Sequence, residues 1–429
     1  MANLTLTKPA DRAGDAGPGV HPHQHLDAPP LDGSTAAQVS RDFRRIAIYD
    51  PHAVFGLVEE LEHLAGRVIE PNVFFTPRFL APAMPRLDER RVRLMVARDE
   101  DERRSRLRFL MPFSVERLQR PSRRSVVRAW THPFGPLGAL PLDRDDPAGT
   151  ARSLFDALKA AEHGLPPILV LPDLPVDGEL ARTLIAAARQ AGLPFAWADR
   201  TQRACLRPAT AGDPSTYLRR ALGSSGYRDH RRRLRQLSAI GPVTFECAST
   251  PDAVRMALED FLHLEASGWK GQRRSALLMD RHRAAFAREA VNGLAERGAA
   301  RVFTLRVGAD AAASLIVLKS RDHAVAWKTA YNEELKRFGP GAIVVALATE
   351  MLVADPDVAL IDSCTVPDNR IMNRLWRDRL AIGALVIGVG SVRSDAIADA
   401  VAAVEAARRR LNRRRIWRER LARLLPSRD

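Results

Sequence analysis

The sequence predicts a mixed α/β fold, an α+β arrangement on a mixed sheet, with two units on one chain. Three observations carry that expectation. Strand-like and helix-like segments alternate along most of the length. The second half reads βα, then a three-strand meander, then αβαβ, an order that calls for a mixed sheet covered by helices. Finally, 429 residues exceed a single ordinary core, for which about 100 to 200 residues is the usual size.

Composition excludes several classes. Hydrophobic residues make up 46% and charged ones 27%, enough to bury a core and too apolar for global disorder. Cys205, Cys247 and Cys364 are far apart and form no CxxC pair, so neither a disulfide framework nor a zinc cluster is expected, and no metal is. The N-terminus lacks the apolar core of a signal peptide, and the purest apolar run, 381–390, is too short to span a bilayer. The expectation is a cytoplasmic protein without a transmembrane segment, with peripheral attachment to the inner membrane as the variant. A net charge of +15 suits an anionic partner: a phosphorylated cofactor, an acidic carrier protein, an anionic surface or nucleic acid. An arginine-rich coding bias produces the same excess.

Residues 1–40 are rich in Pro, Gly, Ala and Asp without apolar periodicity and are expected to form a disordered tail, its His21, His23 and His25 included. A first unit, 41–208, shows strand patterns near Val92, Arg106 and Val126, a helix near 151–162, a strand from Ile168, a helix near 178–191 and a strand from Phe195. Its PFGPLG segment, 133–138, reads as a turn. A second unit, 209–392, begins with a helix near 214–237 bearing Arg231, Arg232, Arg233 and Arg235, a basic run that reads as a solvated face. A strand from Val243 and helices from Thr250 and Asp280 follow. Strands then fall at 301–307, 312–319 and 323–331, a helix near 342–353, a strand at 358–366, a helix at 372–380 and a strand from Leu385. The last segment, 393–429, is a helix with nine arginines between Arg408 and Arg423, expected to pack Leu411, Ile416, Trp417, Leu421 and Leu424 on the protein.

The segment KRFGPGA, 336–342, follows a strand and opens a helix, the context in which free backbone N–H groups and the helix dipole hold a phosphate. Gly339 and Gly341 permit close approach, Lys336 and Arg337 add charge, and Pro340 removes one donor. A strand-to-helix turn with no ligand is the equal alternative on spacing alone.

Lys336, Gly339 and Gly341 stand at the three fixed positions of the Q/R-x-x-G-x-G/A loop with which GNAT acyltransferases bind coenzyme A, lysine replacing the usual first residue. Together with FLHLEASGWKG (261–271), AWKTAYNEELKRFGPG and LIDSCTVPDNRIMNRLWRDR (360–379), the region 215–390 resembles the CelD-like branch of that superfamily, described through cellulose and exopolysaccharide biosynthesis. The resemblance implies a GNAT fold in the C-terminal half and a degenerate GNAT-like unit in the N-terminal half, a tandem arrangement similar to the Fem peptidyltransferases. It implies an N- or O-acyltransferase that uses acetyl-CoA or another acyl-CoA as cosubstrate. The acceptor is then a small molecule or sugar, and the acyl group passes directly to an amine or hydroxyl. A Fem-like transferase using aminoacyl-tRNA is the alternative within that class. A noncatalytic protein that binds an anionic partner through its arginine-rich helix is the alternative outside it.

The candidate cofactor residues are Lys336, Arg337, Phe338, Gly339, Gly341 and Ala342. Glu265 lies on the apolar stripe of its helix, eleven, seven and four residues after Val254, Leu258 and Phe261. Its burial would raise its pKa towards that of a general base unless Lys270 or an arginine pairs with it. Trp269 and Lys270 are candidates for the acceptor pocket. Strand alternation puts His323, Val325, Trp327, Thr329 and Tyr331 on one face and Lys328 with the alanines on the other. Tyr331 is the candidate acid for the leaving thiolate and Lys328 a candidate substrate ligand. Asp362 interrupts an apolar strand, as a second candidate base or as the partner of an arginine such as Arg374.

Overall fold

The computed structural model describes residues 37–38, 44–87, 90–100 and 105–424. The expected tail, with its three histidines, lies outside the described residues except for a short strand, β1 (Ala37–Gln38). The first half continues as β2 (Arg44–Tyr49), α1 (Val58–Ala65), α2 (Pro77–Leu87), β3 (Val92–Glu100), β4 (Ser105–Arg117), β5 (Ser125–Ala129), α3 (Pro147–Lys159), β6 (Ile168–Pro175), α4 (Glu179–Gln190) and β7 (Phe195–Leu206). After α5 (Pro208–Ala211) and α6 (Pro214–Ser238) come β8 (Val243–Ala248), α7 (Pro251–Ser267), α8 (Trp269–Gln272), α9 (Arg281–Ala295), β9 (Ala300–Val307), β10 (Asp310–Ser320) and β11 (His323–Tyr331). The chain closes with α10 (Pro340–Val353), β12 (Leu360–Asp362), α11 (Arg370–Leu375), β13 (Asp378–Gly388) and α12 (Ser394–Leu424). From β2 and from β8, leaving out α8, both halves read β-α-α-β-β-β-α-β-α-β.

Every strand joins one sheet, in the order β1-β2-β3-β4-β5-β6-β13-β7-β12-β11-β10-β9-β8. In each half an antiparallel meander, β2 to β5 or β8 to β11, ends beside a parallel strand, β6 or β12. The halves exchange their last strands: β13 lies between β6 and β7, and β7 pairs with β12. The exchange leaves no open edge in the middle of the sheet, where unpaired N–H and C=O groups would be costly.

Helices α2 and α9 meet across the two halves through Phe79 and Phe286, whose rings are 5.2 Å apart, and share a core with Leu61 of α1 and Phe261 of α7. On the second half's other face, α6 and α10 bury Tyr217, Leu237, Val344 and Leu352 against alternate residues of β9 and β10. Ile397, Ala400 and Val404 of α12 pack with Val170 and Val386 of β6 and β13.

Four expectations need correction. The helix near 214–237 breaks at Gly223, whose backbone is at φ 70°, ψ 167°. The strand expected at 358–366 is only β12, because Cys364 turns into the left-handed region (φ 49°) as its N–H bonds to Asp362 Oδ1 at 2.9 Å. The helix expected at 372–380 ends at Leu375, and Asp378 already opens β13: pairing with β7 from Cys205 onwards overrides local helix preference. In α12 the early residues named above pack, while Leu411 and Trp417 are exposed; the side chains of Ile416, Leu421 and Leu424 lie outside the described residues. No described helix is long and apolar enough to cross a membrane.

Glu70 joins two distant segments. Its buried carboxylate accepts the N–H of Leu180 at 3.0 Å, in the first turn of α4, and burial pushes its pKa up to about 7. The folded state therefore holds this proton more tightly than the unfolded chain, and wild-type stability falls as pH rises from about 4.5 to 7. A Glu70→Gln variant keeps an acceptor for Leu180 and loses that dependence. Urea unfolding is expected to show it gaining up to about 3 kcal/mol on the wild type between pH 4.5 and 8.

Candidate active site

The site begins where two parallel strands part. Only His323↔Leu360, Ala324↔Ile361 and Val325↔Asp362 are paired between β11 and β12. Beyond them β12 stops, β11 continues to Tyr331, and a cavity of about 630 Å³ opens along its free edge. Ala326, Thr329, Tyr331 and the Ser363 to Thr365 turn line it, with the start of α10 at one end and Trp269, Lys270 and Lys328 also on its wall.

A β-bulge decides which side chains of β11 face where. Its register with β10 passes from Lys328↔Ile316 to Ala326↔Val317, leaving Trp327 without a partner. The expected alternation therefore fails after Trp327. Lys328 turns towards α7 on the same side as Trp327, and Tyr331 turns to the α10 side with Ala326. One extra residue moves both candidate groups to the face opposite the one that regular alternation assigns them.

At the start of α10, Gly339 adopts the left-handed conformation (φ 66°, ψ 48°) and Pro340 takes the first helical position. Ala342 and Ile343 donate to Gly339 O at 3.0 and 3.2 Å, and Gly339 donates to Lys336 O at 3.0 Å. The several donors expected here reduce to one: among the described residues only Gly341 N–H is left without a backbone acceptor at this turn, and no side chain caps the helix. Gly341 also packs on Tyr331, where a Cβ would lie 3.2 Å from Cδ1. Lys336, Gly339, Gly341 and Ala342 line the cavity. Arg337 lies over the ring of the buried Phe338 at 4.6 Å, and neither residue is on the cavity wall.

Two arginines, one read from the sequence as part of a solvated face and the other as a partner for Asp362, complete this end. Arg233, from the basic run on α6, lies against Gly339 and is held by Asp229 at 2.8 Å; Arg374 lies across Gly226. Both line the cavity, so the basic run is not wholly a solvated face. Beside them burial and Arg231 pull the His230 imidazole down to about 4, leaving it neutral near pH 7.

The counterpart helix of the first half has the same entry and the opposite outcome. Asp146 precedes Pro147 of α3 in a left-handed conformation (φ 57°, ψ 50°), close to that of Gly339 before Pro340. Its own carboxylate accepts the N–H of Gly149 at 3.1 Å and meets Arg44 at 3.3 Å. A carboxylate thus caps α3 at the position that α10 leaves without a side-chain cap.

Glu265 is buried and does not line the cavity. Its Oε1 meets Lys270 Nζ at 2.7 Å and Lys328 Nζ at 3.5 Å, while Oε2 accepts the N–H of Leu277 at 2.9 Å. Burial pushes its pKa up, but Lys328, Lys270 and that N–H outweigh it and hold the carboxyl below its usual range, the exception that pairing with Lys270 introduces. Lys328 Nζ stands 4.5 Å from the centre of the Phe134 ring, and Phe134 O accepts Trp327 Nε1 at 2.7 Å. The PFGPLG segment is a turn, with Gly135 N–H bonded to His132 O at 2.7 Å, and it also puts a first-half aromatic ring over Lys328. Composition carries no signal for that contact.

Asp362 pairs with Arg203 of β7, not with Arg374. Arg203 also donates to Pro136 O at 2.9 Å, and both members of the pair are buried. Burial and Asp362 raise the Cys364 thiol well above its usual pKa, which leaves it inert. Burial and Glu333 raise Tyr331, so its phenol is protonated near neutral pH. Trp269, partly exposed, sits at the rim with its N–H on Glu333 Oε1 at 3.0 Å.

Residues 224–369 match the family model of the acetyltransferase (GNAT) domain, and the C-terminal half of the chain contains that domain. No curated protein matches the sequence. Similar solved structures include FemX, at 9% identity and a TM-score of 0.49, covering 77% of this chain and 95% of that one. A second is the C-terminal domain of a putative lysylphosphatidylglycerol synthetase from Agrobacterium fabrum, at 13% and 0.45, covering 80% and 96%. A third is a tandem GNAT protein from the clavulanic acid biosynthesis pathway, at 14% and 0.38, covering 82% and 100%. At TM-scores under 0.5, none bears on what this chain binds.

Removing one partner of the Arg203 and Asp362 pair strands the other charge in the sheet. Arg203→Leu alone is expected to cost about 3 to 5 kcal/mol in denaturant unfolding. Adding Asp362→Leu should recover part of that loss. A single variant as stable as the wild type would show that the pair is not what holds β7 to β12.

Proposed function

We propose that the GNAT domain moves an acyl group, acetyl in the simplest case, from acyl-CoA to an amine or hydroxyl acceptor by direct transfer. The observation that carries this reading is the cavity along the free edge of β11, with the uncapped start of α10 at one end. An uncapped helix start with Gly341 N–H, Lys336, Arg233 and Arg374 beside it suits a pyrophosphate. The unpaired edge from Ala326 to Tyr331 supplies backbone groups for an amide-bearing arm and for polarising a thioester carbonyl. Tyr331 lines the cavity, protonated and without a hydrogen-bond partner for its hydroxyl among the described residues, which supports it as the acid for a departing thiolate.

The chemistry divides the cavity. Cations gather at the α10 end, while Trp269, Lys270 and Lys328 form the wall we assign to the acceptor. The resemblance of the three ordered motifs to the CelD-like branch supports a sugar or cell-envelope precursor as acceptor. We read residues 41–208 and 209–392 as two GNAT-like units of which the second works, because Asp146 occupies the helix start that would hold an anion in the first.

Calorimetry with acetyl-CoA at moderate salt is expected to give one site per chain. Lys336→Glu should weaken binding about tenfold or more by reversing a charge at the phosphate end. No binding by acetyl-CoA or longer acyl-CoAs would overturn the reading, and two equal sites would overturn the assignment of the first half. With glucosamine as amine probe, Tyr331→Phe should lower kcat about 100-fold at unchanged acetyl-CoA affinity. Unchanged thiol release would remove Tyr331 from the mechanism.

A further inference from the structure

Glu265 and Asp362 are both carboxylates at the level of the reacting end, and neither has an oxygen free for an acceptor. Both oxygens of Glu265 are taken, by Lys270 at 2.7 Å and by Leu277 N–H at 2.9 Å, and Asp362 is spent on Arg203 and the Cys364 N–H. The titratable groups on the cavity wall next to Glu265 are two amines, Lys270 and Lys328, and Lys328 is the more enclosed and lies on the free strand edge. We propose that Lys328 is the general base that takes the acceptor's proton, with Glu265 and Phe134 as the residues that position and tune it. The assignment rests on the acyl-transfer reading above.

The β11 bulge makes this placement possible. Regular alternation would carry Lys328 away from α7; the extra residue at Trp327 turns it towards Glu265 while its backbone stays on the free strand edge. Its burial disfavours the cation, against the pull of Glu265 and of two aromatic faces. Phe134 from the first half covers it, with the ring centre 4.5 Å from Nζ, and Trp327 lies at 5.8 Å. The charged groups that face it are Glu265 on α7, Lys270 on α8 and Arg283 on α9. Burial pulls the ammonium down to about 8, with Lys270 and Arg283 adding to that effect and Glu265 opposing it. A base in that range is available near neutral pH and still strong enough to accept a proton from an alkylammonium adduct.

The step balances without another reactant. The acceptor amine attacks the thioester carbon, forming C–N, and its proton passes to neutral Lys328 Nζ. The C–S bond breaks with its electron pair on sulfur, and the thiolate takes the Tyr331 proton. Lys328 then releases its proton to solvent as Tyr331 regains one. A hydroxyl acceptor follows the same course, with proton removal accompanying attack.

Two measurements test the assignment. Competitive labelling of the full-length protein with trace acetic anhydride, read by peptide mass spectrometry, reports the midpoint at which Lys328 becomes neutral. It is expected near pH 8 in the wild type and lower in Glu265→Gln, where the carboxylate that favours the cation is gone. In thiol release from acetyl-CoA with glucosamine as amine probe, kcat/KM should rise with pH through the same midpoint. Lys328→Arg, which stays protonated, should lose about 100-fold or more in kcat with acetyl-CoA affinity unchanged. Glu265→Gln should stay active with its rising limb shifted to lower pH. A labelling midpoint above pH 10, Lys328→Arg turnover equal to wild type, or a Glu265→Gln loss as deep as that of Lys328→Arg with no shift of the limb would overturn the proposal. Failure of acetyl-CoA to bind the wild type would instead remove the acyl-transfer reading and leave the labelling midpoint where it was.

Discussion

The buried pair of Arg203 and Asp362 sits where the two halves of the chain become one sheet, and the cavity depends on it. Arg203 comes from the exchanged strand β7 and Asp362 ends β12. Two desolvated charges are tolerable in a sheet only when paired and further hydrogen-bonded, and here Pro136 O and the Cys364 N–H provide those bonds. The same Asp362 that anchors β12 turns the next residues away from β11. The strand that holds the halves together is thus the strand whose early end leaves β11 unpaired.

The internal repeat gives one architecture two different helix starts. At the start of α3 a left-handed aspartate closes the helix with its own carboxylate and an arginine; at the start of α10 a left-handed glycine cannot. That single difference in side chain separates a satisfied structural cap from an unsatisfied one beside a cavity. The first half still shapes the site, since Phe134 covers Lys328 and Arg203 fixes β12. The exchange of β7 and β13 makes that contribution rigid by continuing the sheet from one half into the other.

The charges at the cavity sort by depth. Glu265 sits behind two lysines and stays ionised because they and a backbone N–H offset the cost of its burial. Lys328, nearer the cavity and under an aromatic ring, bears the desolvation that makes its cation less favourable. Lys336, Arg233 and Arg374 gather instead at the helix start. Cations thus gather at one end of the cavity, and an enclosed amine lies on the wall beside its unpaired strand.

Most of the element order was legible in the sequence, because apolar periodicity, the Pro-led helix starts and the glycine turn before α10 are local properties. By itself the sequence determined the meander of β9 to β11, the helix behind Lys336 to Gly341, the burial of Glu265 and the presence of Tyr331 and Lys328 on one strand. Only the tertiary structure decided which way those two side chains face, since the bulge at Trp327 arises from register with β10 and leaves no mark in an alternating strand. It also decided the partners of Glu265 and Asp362, the early start of β13 and the arrival of Phe134 and Arg203 from the first half. Each of these depends on which strands lie side by side, and the exchange of final strands brings together residues whose separation along the chain conceals any pattern between them.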